Sequence, residues 1–211
     1  MADFPADIFT EPEPDPHTLA NLGPLRPMAG TWHSPEGVDA HAVADGAQID
    51  TYVEHYDLQP IDAQTNGPQL FYGLRYHTRL VKPGEVETFH DQVGYWLWEP
   101  ATGQVILTLA IPRAQVALAG GHCAADATTF EVTAAREDPT FGIASGPFLD
   151  HAFRTASFRM TVTIESDQSW SYEQDTVMDV QGRAEPFHHT DRNRLVKVAE
   201  PQLNPTAQAL G

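Results

Sequence analysis

The sequence predicts one all-β domain: a single antiparallel up-and-down β-barrel of about ten strands, opened by a short helical turn. Three observations lead there. Segment after segment alternates with period two, as where Phe158, Met160, Val162 and Ile164 interleave with Arg159, Thr161 and Thr163. Turn formers punctuate those segments, with 17 Pro and 15 Gly in 211 residues. No strong long helical pattern interrupts them. Strands in sequence order joined by short turns favour a closed barrel, which removes exposed edges, although a β-sandwich shares the local signals. The length suits one β domain.

Residues 1–14 read as a mobile arm, because Glu11-Pro12-Glu13-Pro14 can neither pack nor pair in a sheet. The barrel domain is expected over 15–199 and a loose tail over 200–211. Asp15-Pro16 has the form of an N-cap followed by Pro at the first helical position, predicting a helical turn over about His17 to Leu22 that Pro24 and Pro27 stop. Gly30-Thr31-Trp32 opens the first strand. Ile49 to Leu58 follows, with Tyr52, Glu54, Tyr56 and Leu58 on one face and Ile49, Thr51, Val53, His55 and Asp57 on the other. Gln59 to Pro68 reads as loop, Leu70 to Leu80 as strand, and Pro83-Gly84 as turn. Val86 to Trp98, Val105 to Ile111, Gln115 to Leu118 and Thr129 to Ala135 are further strands. Glu137 to Asp150 has weak periodicity and reads as a long loop over a barrel mouth. Phe158 to Ile164, Trp170 to Val180 and Phe187 to Val198 finish the sheet.

The formal charge of −17 argues against two classes of partner. A nucleic-acid backbone must be neutralised by Lys and Arg, of which there are 12, and an anionic membrane surface makes the same demand. The ordinary role of such acidity is solubility. The first residues lack the basic start and apolar core of a signal peptide, and no apolar run approaches the roughly 20 residues that span a bilayer. The cytoplasm is therefore the expected compartment. Cys123 is the single cysteine, so no internal disulfide holds the fold. A small molecule is the expected partner, and a second copy of the chain is the protein partner left open. Gly-rich phosphate loops, paired CxxC, His-Glu-x-x-His and Gly-x-Ser-x-Gly are all missing from the sequence, and no residue is assigned a catalytic role.

Two segments carry candidate chemistry. His90, Gln92, Gly94 and Trp96 share one strand face, where a glycine leaves room above a flat ligand and the histidine can meet it. Pro186 to Leu195 is the densest polar cluster: His188 lies in parity with Thr190, Arg192 and Arg194, while His189 lies with Asp191 and Asn193, which can orient an imidazole. The strand before it is polar on both faces, with Trp170, Tyr172, Gln174 and Thr176 opposite Glu173 and Asp175.

These residues resemble the nitrobindin-like haem-binding β-barrel family, a calycin-type, fatty-acid-binding-protein-like fold. The resemblance rests on Gly30-x-Trp32 after a helical turn, on His90-Asp91-Gln92-Val93-Gly94-Tyr95, on the all-β order, and on a histidine-bearing last strand, over roughly Leu19 to Val198. Two departures stand out: His33-Ser34-Pro35-Glu36-Gly37 replaces the family's alternating glycines, and Gln92 replaces its glutamate. The resemblance implies haem held through a histidine of the last strand, with reactivity toward nitric oxide or peroxynitrite, and so a peroxynitrite-isomerase-like activity only with haem bound. Counted without a gap, the ligand position falls on Thr190. The expected iron ligand is thus His188, taken as inward, with His189 as the alternative, and His90, Gln92 and Trp96 are expected to line the cofactor. The rival is a metal-free carrier of a fatty acid or other apolar acid, which would use Arg75, Arg192 and Tyr172 inside the barrel.

Overall fold

The period-two segments become the wall of a closed barrel. The computed structural model describes residues 5–210. Its strands are β1 (Gly30–Val43), β2 (Gly46–Pro60), β3 (Gln64–Asn66), β4 (Gln69–Val81), β5 (Thr88–Glu99), β6 (Gln104–Ile111), β7 (Gln115–His122), β8 (Thr129–Ala135), β9 (Ile143–Ser145), β10 (Phe153–Ser166), β11 (Ser169–Val180) and β12 (Phe187–Ala199). Antiparallel pairing runs from β2 through β1, β12, β11, β10, β8, β7, β6 and β5 to β4, and β4 returns to β2. Ten strands thereby close an antiparallel ring, as the alternation predicted. Two three-residue strands lie off it: β3 pairs with β4, and β9 with β7.

One seam is thin. β7 and β8 are in ladder register only at Gly120 and Thr133. Above that point β9 takes over, with Ala117 against Ile143 and Val116 against Ala144. The segment expected as a loop over the mouth is therefore partly wall, followed by a short helix α2 (Pro147–Ala152). Three residues are too few to show a period.

Every ring strand runs between the same two ends. At the closed end, the floor, the inward side chains are large and dry. Trp32, Leu58, Leu74, Trp96, Val105, Val162, Trp170 and Leu195 are all fully buried. Trp32 and Trp170 meet edge to face at 6.0 Å, and Trp170 meets Tyr56 likewise at 5.5 Å; such pairs add about 0.5–1.5 kcal/mol beyond their buried area. Helix α1 (Thr18–Asn21) and a 3-10 helix (Gly23–Met28) cap this end with Leu22, Leu25 and Met28. Pro24 and Pro27, expected to stop the helix, lie inside that tighter helix. Trp32 Nε1 donates to the Met28 carbonyl at 2.7 Å, which fastens the plug.

Segments near both ends of the chain, about Pro16 and about Asn204, meet at the floor. Residues 200–211 were expected to be loose, yet α3 (Pro205–Leu210) forms there with Ala207 buried. Buried Asn204 donates to the Pro16 carbonyl at 2.8 Å and to Asp62 at 2.7 Å. Of the expected arm, Met1 to Phe4 lie outside the described residues. The remainder lies along the wall, where Thr65 donates to Glu11 and the Asp15 amide to Tyr72.

Candidate functional site

Above the aromatic floor sits a layer of polar side chains. The face of β2 bearing Tyr52, Glu54, Tyr56 and Leu58 turns inward. This places Glu54, 1% exposed, at the barrel centre. Its carboxyl accepts from Thr78 at 2.7 Å, Asn193 at 2.7 Å and Tyr172 at 2.9 Å. Ser34 donates to Asn193 at 2.6 Å, and Tyr172 and Tyr52 meet hydroxyl to hydroxyl at 2.9 Å. Tyr52 in turn donates to Asp191. Burial raises the Glu54 pKa, an effect the three donors only partly offset. Burial, then the neighbouring Glu54 charge, pushes Asp191 well above the ordinary carboxylate range. The close fit of this layer is visible at Gly37, where a Cβ would stand 2.1 Å from the Tyr52 ring.

Beyond this septum, towards the other end of the barrel, His90, Gln92, Gln174, Thr176, His189 and Asp191 face inward and keep intermediate exposure. Burial is also the main cause lowering the pKa of His90, which holds the imidazole neutral. Among these side chains buried Asp39 clamps two imidazoles: His189 Nε2 lies 2.6 Å from one oxygen and His41 Nδ1 2.8 Å from the other. Burial alone would raise the Asp39 pKa, but hydrogen bonds and charge from His189 and His41 outweigh it and hold the carboxyl below its usual range. On the opposite wall His90 Nε2 stands 3.4 Å from Gln92 Oε1. Gln92 Nε2 donates to Tyr76 OH at 2.8 Å, and Tyr76 donates to the Thr108 carbonyl at 3.1 Å.

Several expectations change. His188, taken as inward, points outward: its side chain is 61% exposed and pairs with Asp175 at 2.9 Å. The inward residues of β12 are His189, Asp191, Asn193 and Leu195, so Thr190 also faces out. Arg75 and Arg192 are exposed on the outer wall, where neither can hold a carboxylate inside the barrel; Tyr172 does face inward, bound to Glu54. His90, Gln92 and Trp96 share the inner face, but Trp96 is fully buried in the floor, with Nε1 3.3 Å from Tyr56 OH. Gly94 leaves no ligand space either. A Cβ there would stand 1.9 Å from the Thr108 carbonyl oxygen and 3.0 Å from Tyr76, so the glycine serves strand approach. Asp39, Tyr52 and Glu54 escaped the sequence reading as site residues. For Glu54 a signal existed, because it alternates with Tyr52, Tyr56 and Leu58 on the more apolar face.

The mouth can be tested against haem on its own donors. An iron-binding imidazole must be neutral, must face the cavity and must keep one ring nitrogen free, and its other nitrogen is commonly held by a carboxylate. His189 lies on the inner face, Asp39 holds its Nε2, and Nδ1, the nitrogen nearer the backbone, makes no hydrogen bond among the described residues and is the one left for iron. His90 is inward and kept neutral. Phe89 and Phe187 add apolar rim, and Arg113 reaches the same rim, donating to the Phe89 carbonyl at 2.8 Å. The donor set fits the group. Among the described residues no cluster of three or more His, Cys, Asp or Glu forms a metal site built from side chains alone.

The chain is thus a closed antiparallel barrel with a dry floor at one end and inward imidazoles at the other. Residues 21–197 match the family model described as the THAP4-like, heme-binding beta-barrel domain, and the chain belongs to that family. The fold is similar to the crystal structure of Rv2717c from M. tuberculosis, with TM-score 0.54 and 21% identity over 85% of this chain and 96% of that one; at that identity the likeness concerns fold. No curated protein matches. No helix among the described residues is long and apolar enough to cross a membrane.

Proposed function

We propose that this chain binds haem in the barrel mouth, with His189 as the imidazole that holds the iron and His90 on the facing wall. The observation that carries the reading is the Asp39–His189 pair, at 2.6 Å on the inner face of the last strand. A carboxylate that holds one imidazole nitrogen fixes the ring and raises the basicity of the other. Asp39 does this while its second oxygen engages His41, so it cannot swing away freely. Haem bound there would supply an iron centre able to take up small diatomic ligands such as nitric oxide or to act on peroxynitrite. The chain's own contribution is orientation and exclusion. The septum of Tyr52, Tyr172 and Glu54 sets the depth of the site and keeps the floor dry, and His90, held neutral by burial, offers a hydrogen-bonding partner or proton acceptor to a small ligand.

Hemin titration tests the reading. The wild type is expected to give a saturable Soret band at one equivalent. His189→Ala should abolish the imidazole-ligated spectrum while leaving the circular dichroism unchanged, and exogenous imidazole should restore it. His188→Ala should titrate like the wild type. A wild type that shows no saturable hemin spectrum, or a His189→Ala variant spectrally identical to it, would overturn the assignment.

A further inference from the structure

The outer wall carries a hollow that the mouth does not explain. It lies over β5, β6 and β7, has a volume of about 1100 Å³, and is bounded on one side by the segment from Asp138 to Ala144. Cross-strand register builds its base in two rows: Val93 beside Ala110 beside Val116, and Tyr95 beside Thr108 beside Leu118. Val93, Tyr95, Val116 and Leu118 are between 37% and 49% exposed, which makes this a contiguous apolar surface facing solvent. A cluster of apolar side chains exposed together in a hollow is a candidate binding surface. The hollow is also as large as sites that enclose small molecules.

Charge selects among occupants. Four charged side chains other than His line the hollow: Asp57, Arg75, Arg136 and Asp138. Three are engaged. Arg136 pairs with Asp150 at 2.6 Å. Asp138 accepts the amides of Thr140 and Phe141 in its own turn. Asp57 accepts from Thr31 and Gln59 on the far side. Arg75 has no hydrogen-bond or ion-pair partner among the described residues and stands beside Tyr95, its register partner on β5. A planar guanidinium with five free donors at the edge of an apolar hollow suits a carboxylate bound in two-point fashion. The concave shape, walled by its own loop, suits a small molecule better than a flat protein face.

We propose that this hollow is a second ligand site, separate from the mouth, for an elongated apolar molecule with one carboxylate. Arg75 takes the carboxylate, and Val93, Tyr95, Val116 and Leu118 take the chain. The site does not depend on haem or on the barrel interior.

Dodecanoate is the probe, followed by methyl NMR shifts of Val93, Val116 and Leu118 and by calorimetry. The wild type is expected to bind one equivalent with shifts confined to these methyls. Arg75→Gln should weaken binding about tenfold, the effect of losing roughly 1.4 kcal/mol of charge-assisted bonding. Leu118→Glu should abolish it, and dodecanol should bind as weakly as dodecanoate binds the Arg75→Gln variant. All of these changes lie on exposed side chains, so the fold is retained. Binding displaced by hemin, or insensitive to both substitutions, would place the acid in the mouth and overturn the proposal. So would an absence of binding, or sedimentation showing that a second copy of the chain covers the patch and that Leu118→Glu releases it.

Discussion

The two halves of the barrel interior use the same inward-facing positions for opposite ends. In the floor those positions hold Trp32, Trp96, Trp170, Leu58 and Leu195, close-packed and dry. In the mouth the next positions along the same strands hold His90, Gln92, His189 and Asp191, of intermediate exposure, beside buried Asp39. β12 shows the change within one strand, from His189 through Asp191 and Asn193 to Leu195 in three inward steps. Stability is thereby concentrated at one end, and the other end is left free to carry polar groups that would be costly in a sealed core. Glu54 marks the boundary: it is buried like a floor residue and hydrogen-bonded like a mouth residue.

The contrast can be tested from the largest effect downward. Trp170→Ala should cost about 3–5 kcal/mol of unfolding free energy, because the cavity it leaves is lined by rings that cannot collapse; denaturant titration reads this. A loss below about 1 kcal/mol would mean that the floor does not carry the fold. Glu54→Gln tests the boundary. The pKa of Glu54 is raised in the folded state, so its contribution to stability is full below the unfolded pKa and is lost as pH rises through the folded one. Thermal midpoints of variant and wild type should therefore coincide near pH 4, and the variant should pull ahead towards pH 8. A constant offset across that range would refute burial as the cause.

His189→Ala should have a small effect on stability, about 1 kcal/mol, despite the loss of iron coordination expected above. Its signature lies in acid. The Asp39 carboxyl is held low by His189 and His41, so that stabilisation is present above the unfolded aspartate pKa and disappears as pH falls through the folded value. The variant should show a shallower acid limb in a stability–pH profile, and an unchanged limb would detach Asp39 from His189. The smallest effect belongs to His188→Ala. An exposed pair with Asp175 is worth about 0–1 kcal/mol, and a double-mutant cycle with Asp175→Asn should return a coupling in that range.

The strands were legible because a half-buried wall forces alternation, and nearly every ring strand showed it. The orientation of the last strand was not legible. β12 is polar on both faces through His188 to Arg194, and its apolar residues conflict: Leu195 is fully buried, while Val196 and Val198, on the other parity, are 45% and 62% exposed. In the sequence the large apolar residues of this strand divide evenly, Phe187 and Leu195 on one parity against Val196 and Val198 on the other, with no means of ranking them. The pairing of β12 with β11 settles it, since Leu195 lies opposite buried Trp170. Gly94 misled for a different reason. A glycine on an inner face signals missing volume, but whether a ligand or a neighbouring backbone fills it depends on strand spacing. The Asp39–His189 contact joins residues 150 positions apart, so it carries no local pattern at all.

The strap at the floor has a consequence measured in time. β1 and β12 form the closing seam, and Asn204 reaches back to Pro16 and, through its side-chain oxygen, to the Thr18 amide at 3.3 Å. The contacts that complete the ring therefore join residues near the start of the chain to residues near its end. Closing so long a loop must be paid in chain entropy before the floor can reward it, which places this barrel among slow folders. Until the strap is made, the edges of β1 and β12 stand open to other chains. During that interval the molecule depends on its dense negative charge to keep copies apart.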